Sequence, residues 1–180
     1  MKHFESKAIH SGFSSNDGYK SSAIPIYQSA AFGYDKAESI EDVFKGKQFG
    51  YLYSRISNPT VTAFEQKVTS IENGLGALGL ASGMSAIHTV IQTLVKNGDH
   101  IVSGQSLFGG TFDLFEEVVK DSGVDITYVS STSPDAFESA ITDKTKLLYV
   151  EAIGNPKVDV PDLKKLVDIG NKYNIPLVVD

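Results

Sequence analysis

Arg55 is the one arginine in a chain of 180 residues, and every other member of the Lys and Arg set is a lysine. It stands in Tyr51-Leu52-Tyr53-Ser54-Arg55-Ile56-Ser57-Asn58-Pro59-Thr60. A planar, permanently charged fork suits an anion held by two hydrogen bonds, a phosphate above all. Tyr53 adds a hydroxyl or an aromatic face beside it. A surface salt bridge is the other use of a lone guanidinium. Four further groups carry chemistry. Ser82-Gly83-Met84-Ser85 joins an apolar run to a helical one. Its glycine lets backbone approach a ligand, and the free amides of a helix start attract an anion; a tight turn alone needs the same glycine. Phe108-Gly109-Gly110-Thr111 offers Phe108 as a stacking face for a planar ligand, or as a core ring beside a flexible turn. Glu151-Ala152-Ile153-Gly154-Asn155-Pro156 presents an asparagine whose amide can meet a ligand oxygen, although Asn-Pro is also a common turn pair. Asp180, at the end of Leu177-Val178-Val179, can pair with a cation or cap a following helix. A unit positive charge about 4 Å from such a carboxylate gains roughly 4 kcal/mol at an effective dielectric near 20, enough to keep a heteroaromatic nitrogen protonated.

These groups need elements to hold them. From Asn58 onward the pattern is regular. Asn58 caps a helix that Pro59 begins, with Val61, Phe64, Val68 and Ile71 at helical spacing and Gly74 as a stop. Ala77 to Ala81 reads as a short strand. Ser82-Gly83 opens a helix with Ile87, Val90, Ile91, Leu94 and Val95. Strands follow at 100–103, 125–129, 146–150 and 176–179, with helices after Gly110 (Phe112, Phe115, Val118, Val119), at 134–141 and at 162–173. Strands alternating with helices predict an α/β fold with a mostly parallel sheet. In such sheets functional groups collect at the carboxyl ends of strands. That is where Phe108, Asn155 and Asp180 fall. The first fifty-odd residues differ. They are thin and poorly self-packing, with an extended Ala23–Gln28 and a short helix from an Asp35 cap to Phe44 that Gly46 ends. Such an arm needs a surface to lie against, as another subunit would provide. The expected division is therefore an arm over 1–57 and a larger domain from 58 to 180. A chain that stops on Asp180 reads as part of a longer protein.

Composition narrows the function. The formal net charge is -6 and the pI about 5.2, and the lysines are scattered, which disfavours nucleic acid and membrane surfaces as partners. There is no cysteine, so thiolate metal sites and disulfides are excluded. The four histidines show no metal-ligand spacing, and His88, among apolar neighbours, reads as a core residue. Asp113, Glu116, Glu117 and Asp121 read as a solvated helix face. With no apolar leader or span, a cytoplasmic protein is the expectation.

A phosphate, a planar ring, a ring oxygen and a ring nitrogen are together the parts of pyridoxal phosphate, whose ring acts as an electron sink when its nitrogen is protonated. The chain resembles the pyridoxal-phosphate enzymes of cysteine and methionine metabolism. The residues that carry the resemblance are Pro25-Ile26-Tyr27-Gln28, Tyr53-Ser54-Arg55 with Asn58-Pro59-Thr60, Ala81-Ser82-Gly83-Met84, Phe108-Gly109-Gly110-Thr111, Glu151 with Asn155-Pro156, and Val179-Asp180. They run in the family's order over nearly the whole chain. Ile153-Gly154-Asn155-Pro156 looks most like the O-acetylhomoserine sulfhydrylase branch. The lyase and cystathionine-forming branches usually carry a different pair before Asn-Pro.

The resemblance implies the aspartate-aminotransferase-like fold of fold-type-I pyridoxal-phosphate transferases, with this chain as an incomplete large domain. It implies a homo-oligomer built as a dimer of dimers and a small amino-acid substrate. By the same resemblance, Gly83 and Met84 offer amides to the cofactor phosphate, Phe108 stacks on the ring, Asn155 bonds its phenolic oxygen and Asp180 its nitrogen. Tyr53 and Arg55 reach the phosphate in the neighbouring subunit. The implied reaction is replacement at the γ carbon of O-acetyl-L-homoserine by sulfide or a thiol. A cystathionine γ-synthase or γ-lyase is the alternative within the family, and a non-catalytic binding or assembly module the alternative outside it. The family's usual tyrosine is Phe108 here, so a hydroxyl at that point is lost. The Schiff-base lysine of the family lies beyond residue 180, so no catalytic residue of that kind falls in this chain, and the chain alone is expected to be inactive.

Overall fold

In the computed structural model, residues 3–14 and 20–180 are described. The chain forms two compact units, residues 1–79 and 80–180. In the first, helix α1 (Phe4–His10) packs on α3 (Pro59–Glu72), and α2 (Ala37–Phe44) lies between them in sequence. Gly12, with φ +80°, approaches so closely that a Cβ there would stand 2.3 Å from the Ala63 carbonyl oxygen. Asn58 is the buried hub of this unit. Its Oδ1 accepts the Thr60 N–H at 2.8 Å as the cap of α3, while its Nδ2 donates to the Tyr27 carbonyl at 2.9 Å and to Ser54 Oγ at 2.8 Å. Thr60 Oγ1 donates to the Pro25 carbonyl and accepts the Tyr27 N–H. One helix start thus pins both extended strips. Ala31 and Tyr53 form an antiparallel bridge, flanked by Phe32 N–H to Leu52 and Ser54 N–H to Ala30. The cap position of α2 falls on Lys36, without a side-chain bond, where Asp35 was expected.

The second unit carries a four-stranded parallel sheet in the order β2-β1-β3-β4, with β1 His100–Gly104, β2 Asp125–Val129, β3 Thr145–Val150 and β4 Leu177–Val179. The two central strands, β1 and β3, are buried at every position but Lys146 because both faces are covered. Ile101, Leu147 and Tyr149 face one way, onto Ile91 and Val95 of α4 (Gly83–Leu94 and its C-cap) and onto Phe115 and Val119. Val102, Leu148 and Val150 face the other way, onto Phe137 of α6 (Pro134–Ala140) and Leu166 of α7 (Leu163–Tyr173). Between β1 and β2, α5 (Gly109–Asp113) runs into a π-helical turn, Leu114–Val119. Phe115 and Val119 are its buried members, whereas Phe112 and Val118 are exposed. Glu116 receives the Tyr128 hydroxyl and pairs with Lys120 at the surface.

Two further expectations fail. Ala77–Ala81 forms no strand, because a strand exists only beside a hydrogen-bonded neighbour and no described strand pairs with it. The Gly79 N–H donates to Glu65 Oε1 at 2.9 Å instead, and Leu78 stays 71% exposed. His88 is exposed. The buried side of α4 runs through Ile91 and Val95, with Ile87 partly buried against them, and His88 projects to solvent outside that cluster.

The buried histidine is His100, at the start of β1. Its Nδ1 lies 2.8 Å from Thr145 Oγ1 and its Nε2 2.9 Å from Thr127 Oγ1. Burial lowers its pKa below the ordinary 6.5, against an opposing pull from Asp125. The unfolded chain therefore binds this proton more tightly. The stability that His100 contributes is complete above pH 6.5 and is lost as pH falls below it through the depressed folded value. Urea denaturation at about pH 7.5 and about pH 5 should show an acid loss of stability that shrinks in His100→Asn. An equal loss in the variant would contradict this assignment.

Candidate functional site

The carboxyl ends of β1, β3 and β4 open into a cavity of about 620 Å³, lined by Ser82, Gly83, Met84, Ile87, Phe108, Glu151, Ala152, Ile153 and Asp180. Four of the residues singled out in the sequence, Gly83, Met84, Phe108 and Asp180, meet there. Each is held by a local device. Ser82 caps α4 in a reciprocal box: its Oγ accepts the Ser85 N–H at 3.1 Å, and Ser85 Oγ accepts the Ser82 N–H at 3.0 Å. The amides of Gly83 and Met84 remain without an internal partner among the described residues, at the positive end of a twelve-residue helix. A Cβ on Gly83 would meet no heavy atom within 4 Å. The glycine thus leaves a cradle open in front of two free donors.

Phe108 precedes α5 and is 50% exposed. Its backbone N–H donates to Glu151 Oε1, a carboxylate only 7% exposed. A Cβ on Gly110 would come within 2.7 Å of the Phe108 ring and 3.4 Å of Met84 Sδ. Glycine at 110 is therefore what lets the ring lie where it does.

Asp180 continues β4. Its N–H donates to the Val150 carbonyl at 3.0 Å, and its carbonyl accepts the Ala152 N–H at 2.7 Å. These bonds set its side chain beside Tyr149, whose hydroxyl donates to Asp180 Oδ2 at 3.2 Å. Tyr149 is fully buried, with its ring edge-on to Phe115 at 5.0 Å. Burial first, and the Asp180 charge second, push its pKa well above the ordinary 10, so it stays a donor. Tyr149 was missed in the sequence, where it reads as one apolar residue of a strand. The available signal was a hydroxyl inside an otherwise apolar run, on the strand next to Asp180.

Asn155 lies outside the cavity lining and is exposed, although Ile153 and Ala152 of the same loop reach it. Tyr53 and Arg55 belong to the first unit. Arg55 is exposed, stacks over the Tyr53 ring at 5.0 Å and has no carboxylate partner among the described residues.

A parallel sheet with free helix-start amides, an aromatic face and a carboxylate at one edge is the scaffold of an α/β protein that binds an anionic, ring-bearing cofactor. The sequence profile of the family described as "Cys/Met metabolism PLP-dependent enzyme" matches residues 5–180, and the chain belongs to that family. Among its relatives is the homocysteine/cysteine synthase of Saccharomyces cerevisiae, 37% identical over 180 residues, covering 99% of this chain and 40% of the relative. The L-methionine gamma-lyase of Porphyromonas gingivalis is 38% identical over 178 residues, covering 98% of this chain and 44% of the relative. Among solved structures, a Campylobacter jejuni protein described as an O-acetylhomoserine (thiol)-lyase carries N'-pyridoxyl-lysine-5'-monophosphate. It superposes with a TM-score of 0.93 at 27% identity, over 100% of this chain and 44% of that one. The chain thus spans less than half the length of these relatives.

The donor set suits pyridoxal phosphate: two free amides and an unfilled cradle for its phosphate, an exposed ring face, and a carboxylate for a protonated nitrogen. Because nothing touches a Cβ at position 83, Gly83→Val should leave thermal stability nearly unchanged while occupying the cradle. In the full-length protein, a fluorescence titration with pyridoxal phosphate should show binding weaker by at least about tenfold, or about 1.4 kcal/mol. Unchanged affinity would remove the cradle from the site.

Proposed function

We infer that the full-length protein replaces the γ substituent of O-acetyl-L-homoserine. The Cγ–O bond breaks and acetate leaves; sulfide forms the new C–S bond and yields homocysteine, and methanethiol as donor yields methionine. The observation that carries the cofactor part is the single cavity shared by Gly83, Met84, Phe108 and Asp180. Ile153-Gly154 before Asn155-Pro156, with a homocysteine/cysteine synthase among the relatives, supports the sulfhydrylase branch. Pyridoxal phosphate, when bound, supplies an electron sink that acidifies carbons next to the amino group.

The chain's own residues do the binding and orientation. Gly83 and Met84 donate to the phosphate from the start of α4. Phe108 covers one ring face, and lacking a hydroxyl it moves no proton. Asp180 holds a proton on the ring nitrogen, with Tyr149 fixing one of its oxygens. Asn155 bonds the phenolic oxygen. Tyr53 and Arg55 serve the phosphate in a neighbouring subunit, as part of an arm over residues 1–57 that precedes the domain beginning at 58 and contacts that subunit. The free guanidinium and the exposed Ile26, Phe49 and Phe64 of the first unit support that reading and an assembly of two active dimers. We place the enzyme in the cytoplasm.

A γ-lyase is the second reading, favoured by the 38% identity to a methionine gamma-lyase. The test is a full-length assay with competing acyl-homoserines, L-methionine and sulfide, followed by product identification. Homocysteine from O-acetyl-L-homoserine as the main product supports the replacement reaction. Ammonia and an oxo acid from L-methionine support the lyase, and no turnover of any of them supports a non-catalytic module. Asp180→Ala should lose most turnover, at least about a hundredfold, since a charge-assisted contact to the ring disappears. In the same assay Arg55→Ala should raise the pyridoxal phosphate concentration needed for half-maximal rate.

A further inference from the structure

Two carboxylates outside the assigned ligand set tie together the two loops that carry its Phe108 and Asn155. The loop after β1 holds Ser106 and Phe108, and the loop after β3 holds Glu151, Gly154, Asn155 and Asp159. Glu151 Oε1 accepts the Phe108 N–H, and Asp159 Oδ2 accepts the Ser106 hydroxyl at 2.8 Å. Ser106 is 3% exposed, and its own N–H donates to Ser131 Oγ at 3.2 Å. Asp159 also closes its loop, since its carbonyl accepts the Gly154 N–H at 2.8 Å while the Gly154 carbonyl accepts the Val158 N–H at 2.8 Å. Asn155 sits inside that closed turn.

Gly154 shows how tightly this arrangement is built. A Cβ there would lie 2.0 Å from Asp159 Oδ1 and 2.6 Å from Ser106 Cβ. The Asp159 carboxylate therefore occupies the place that a side chain at 154 would take, and Oδ1 is itself buried without a partner among the described residues. Position 154 is part of the pair that sets this chain's Asn-Pro loop apart in the sequence. The glycine and the aspartate belong together: one vacates the space and the other uses it to reach Ser106.

We propose that Glu151 and Asp159 are positioning residues that clamp the Phe108 loop to the Asn155 loop, so that the stacking face and the ring-oxygen donor move as one piece. This rests on the cofactor reading above for what the clamp aligns, but not for the clamp itself. Hydrogen bonds accepted by carboxylates are among the stronger ones. Loss of either tie frees one loop while leaving the sheet beneath it intact.

The test compares Glu151→Ala with Glu151→Gln, and Asp159→Ala with Asp159→Asn, in the full-length protein. Each amide variant keeps a carbonyl acceptor. Amide hydrogen exchange at Phe108 reads the clamp, and the circular dichroism of added pyridoxal phosphate reads ring alignment. The expected result is that Glu151→Ala speeds Phe108 exchange by at least about tenfold and weakens the cofactor signal, while β1 and β3 amides keep their protection. Asp159→Ala weakens the cofactor signal likewise, and both amide variants restore most of it. Phe108 exchange in Glu151→Ala within about twofold of the parent overturns the proposal, and so does a loss of protection throughout β1 and β3, which marks a merely structural role. A full-length protein that binds no pyridoxal phosphate overturns the cofactor reading and not the clamp, which the Phe108 amide still decides.

Discussion

Parallel pairing of β1 with β3, and of β3 with β4, sets the position of everything else in the second unit. A parallel ladder sends each strand's carboxyl end to the same edge and returns the chain through a helix on one face. Gly104, Val150 and Val179 therefore finish side by side, and the next residues along the chain meet across a few ångströms. Glu151 reaches the amide of Phe108, Asp180 extends the ladder by one more rung beside Val150, and Tyr149 rises from the core to the Asp180 carboxylate. Shifting β3 by one residue against its neighbours would turn Tyr149 to the other face and separate it from Asp180. The apolar layers on both faces fix that register, through Ile101, Leu147 and Tyr149 on one side and Val102, Leu148 and Val150 on the other.

The charges at this edge follow from the same packing. Tyr149 is a phenol kept neutral by burial and by the carboxylate next to it, so it can only donate to Asp180. One Asp180 oxygen is thereby committed, and the residue lines the cavity. The start of α4 brings no charged side chain to the lining, only its partial positive end with two open amides, and the second carboxylate, Glu151, is engaged by the Phe108 N–H. A ligand that is anionic at one end and cationic at a ring nitrogen matches this polarity, and that is the shape of pyridoxal phosphate. The first unit solves a different problem. It has little core, and Asn58 and Thr60 hold its extended strips by hydrogen bonds where apolar contact is scarce.

What was legible in the sequence was whatever depends on neighbours along the chain. The Asn58 cap, the helix starts at Ser82-Gly83 and near Asp162, the apolar spacing of α4 and the four strands are local, and each appears close to where the pattern puts it. Phe108 and Asp180 were recoverable because they follow strands that end at one edge, and Gly83 and Met84 because Ser82-Gly83 opens a helix. Contacts between distant segments were not. The Ala77–Ala81 run has strand composition but no pairing neighbour. His88, expected in the core, is exposed, and the buried histidine is His100, because burial depends on which side of a helix or strand a residue falls. Tyr149, Ser106 and Asp159 gain their meaning only across loops, where spacing in the chain says nothing.

The most direct measurement is a crystal structure of the full-length protein grown with pyridoxal phosphate. The account predicts phosphate oxygens about 3 Å from the Gly83 and Met84 amides, the ring against Phe108, and its nitrogen within hydrogen-bond distance of Asp180. A phosphate bound elsewhere, or a ring nitrogen turned away from Asp180, would contradict it.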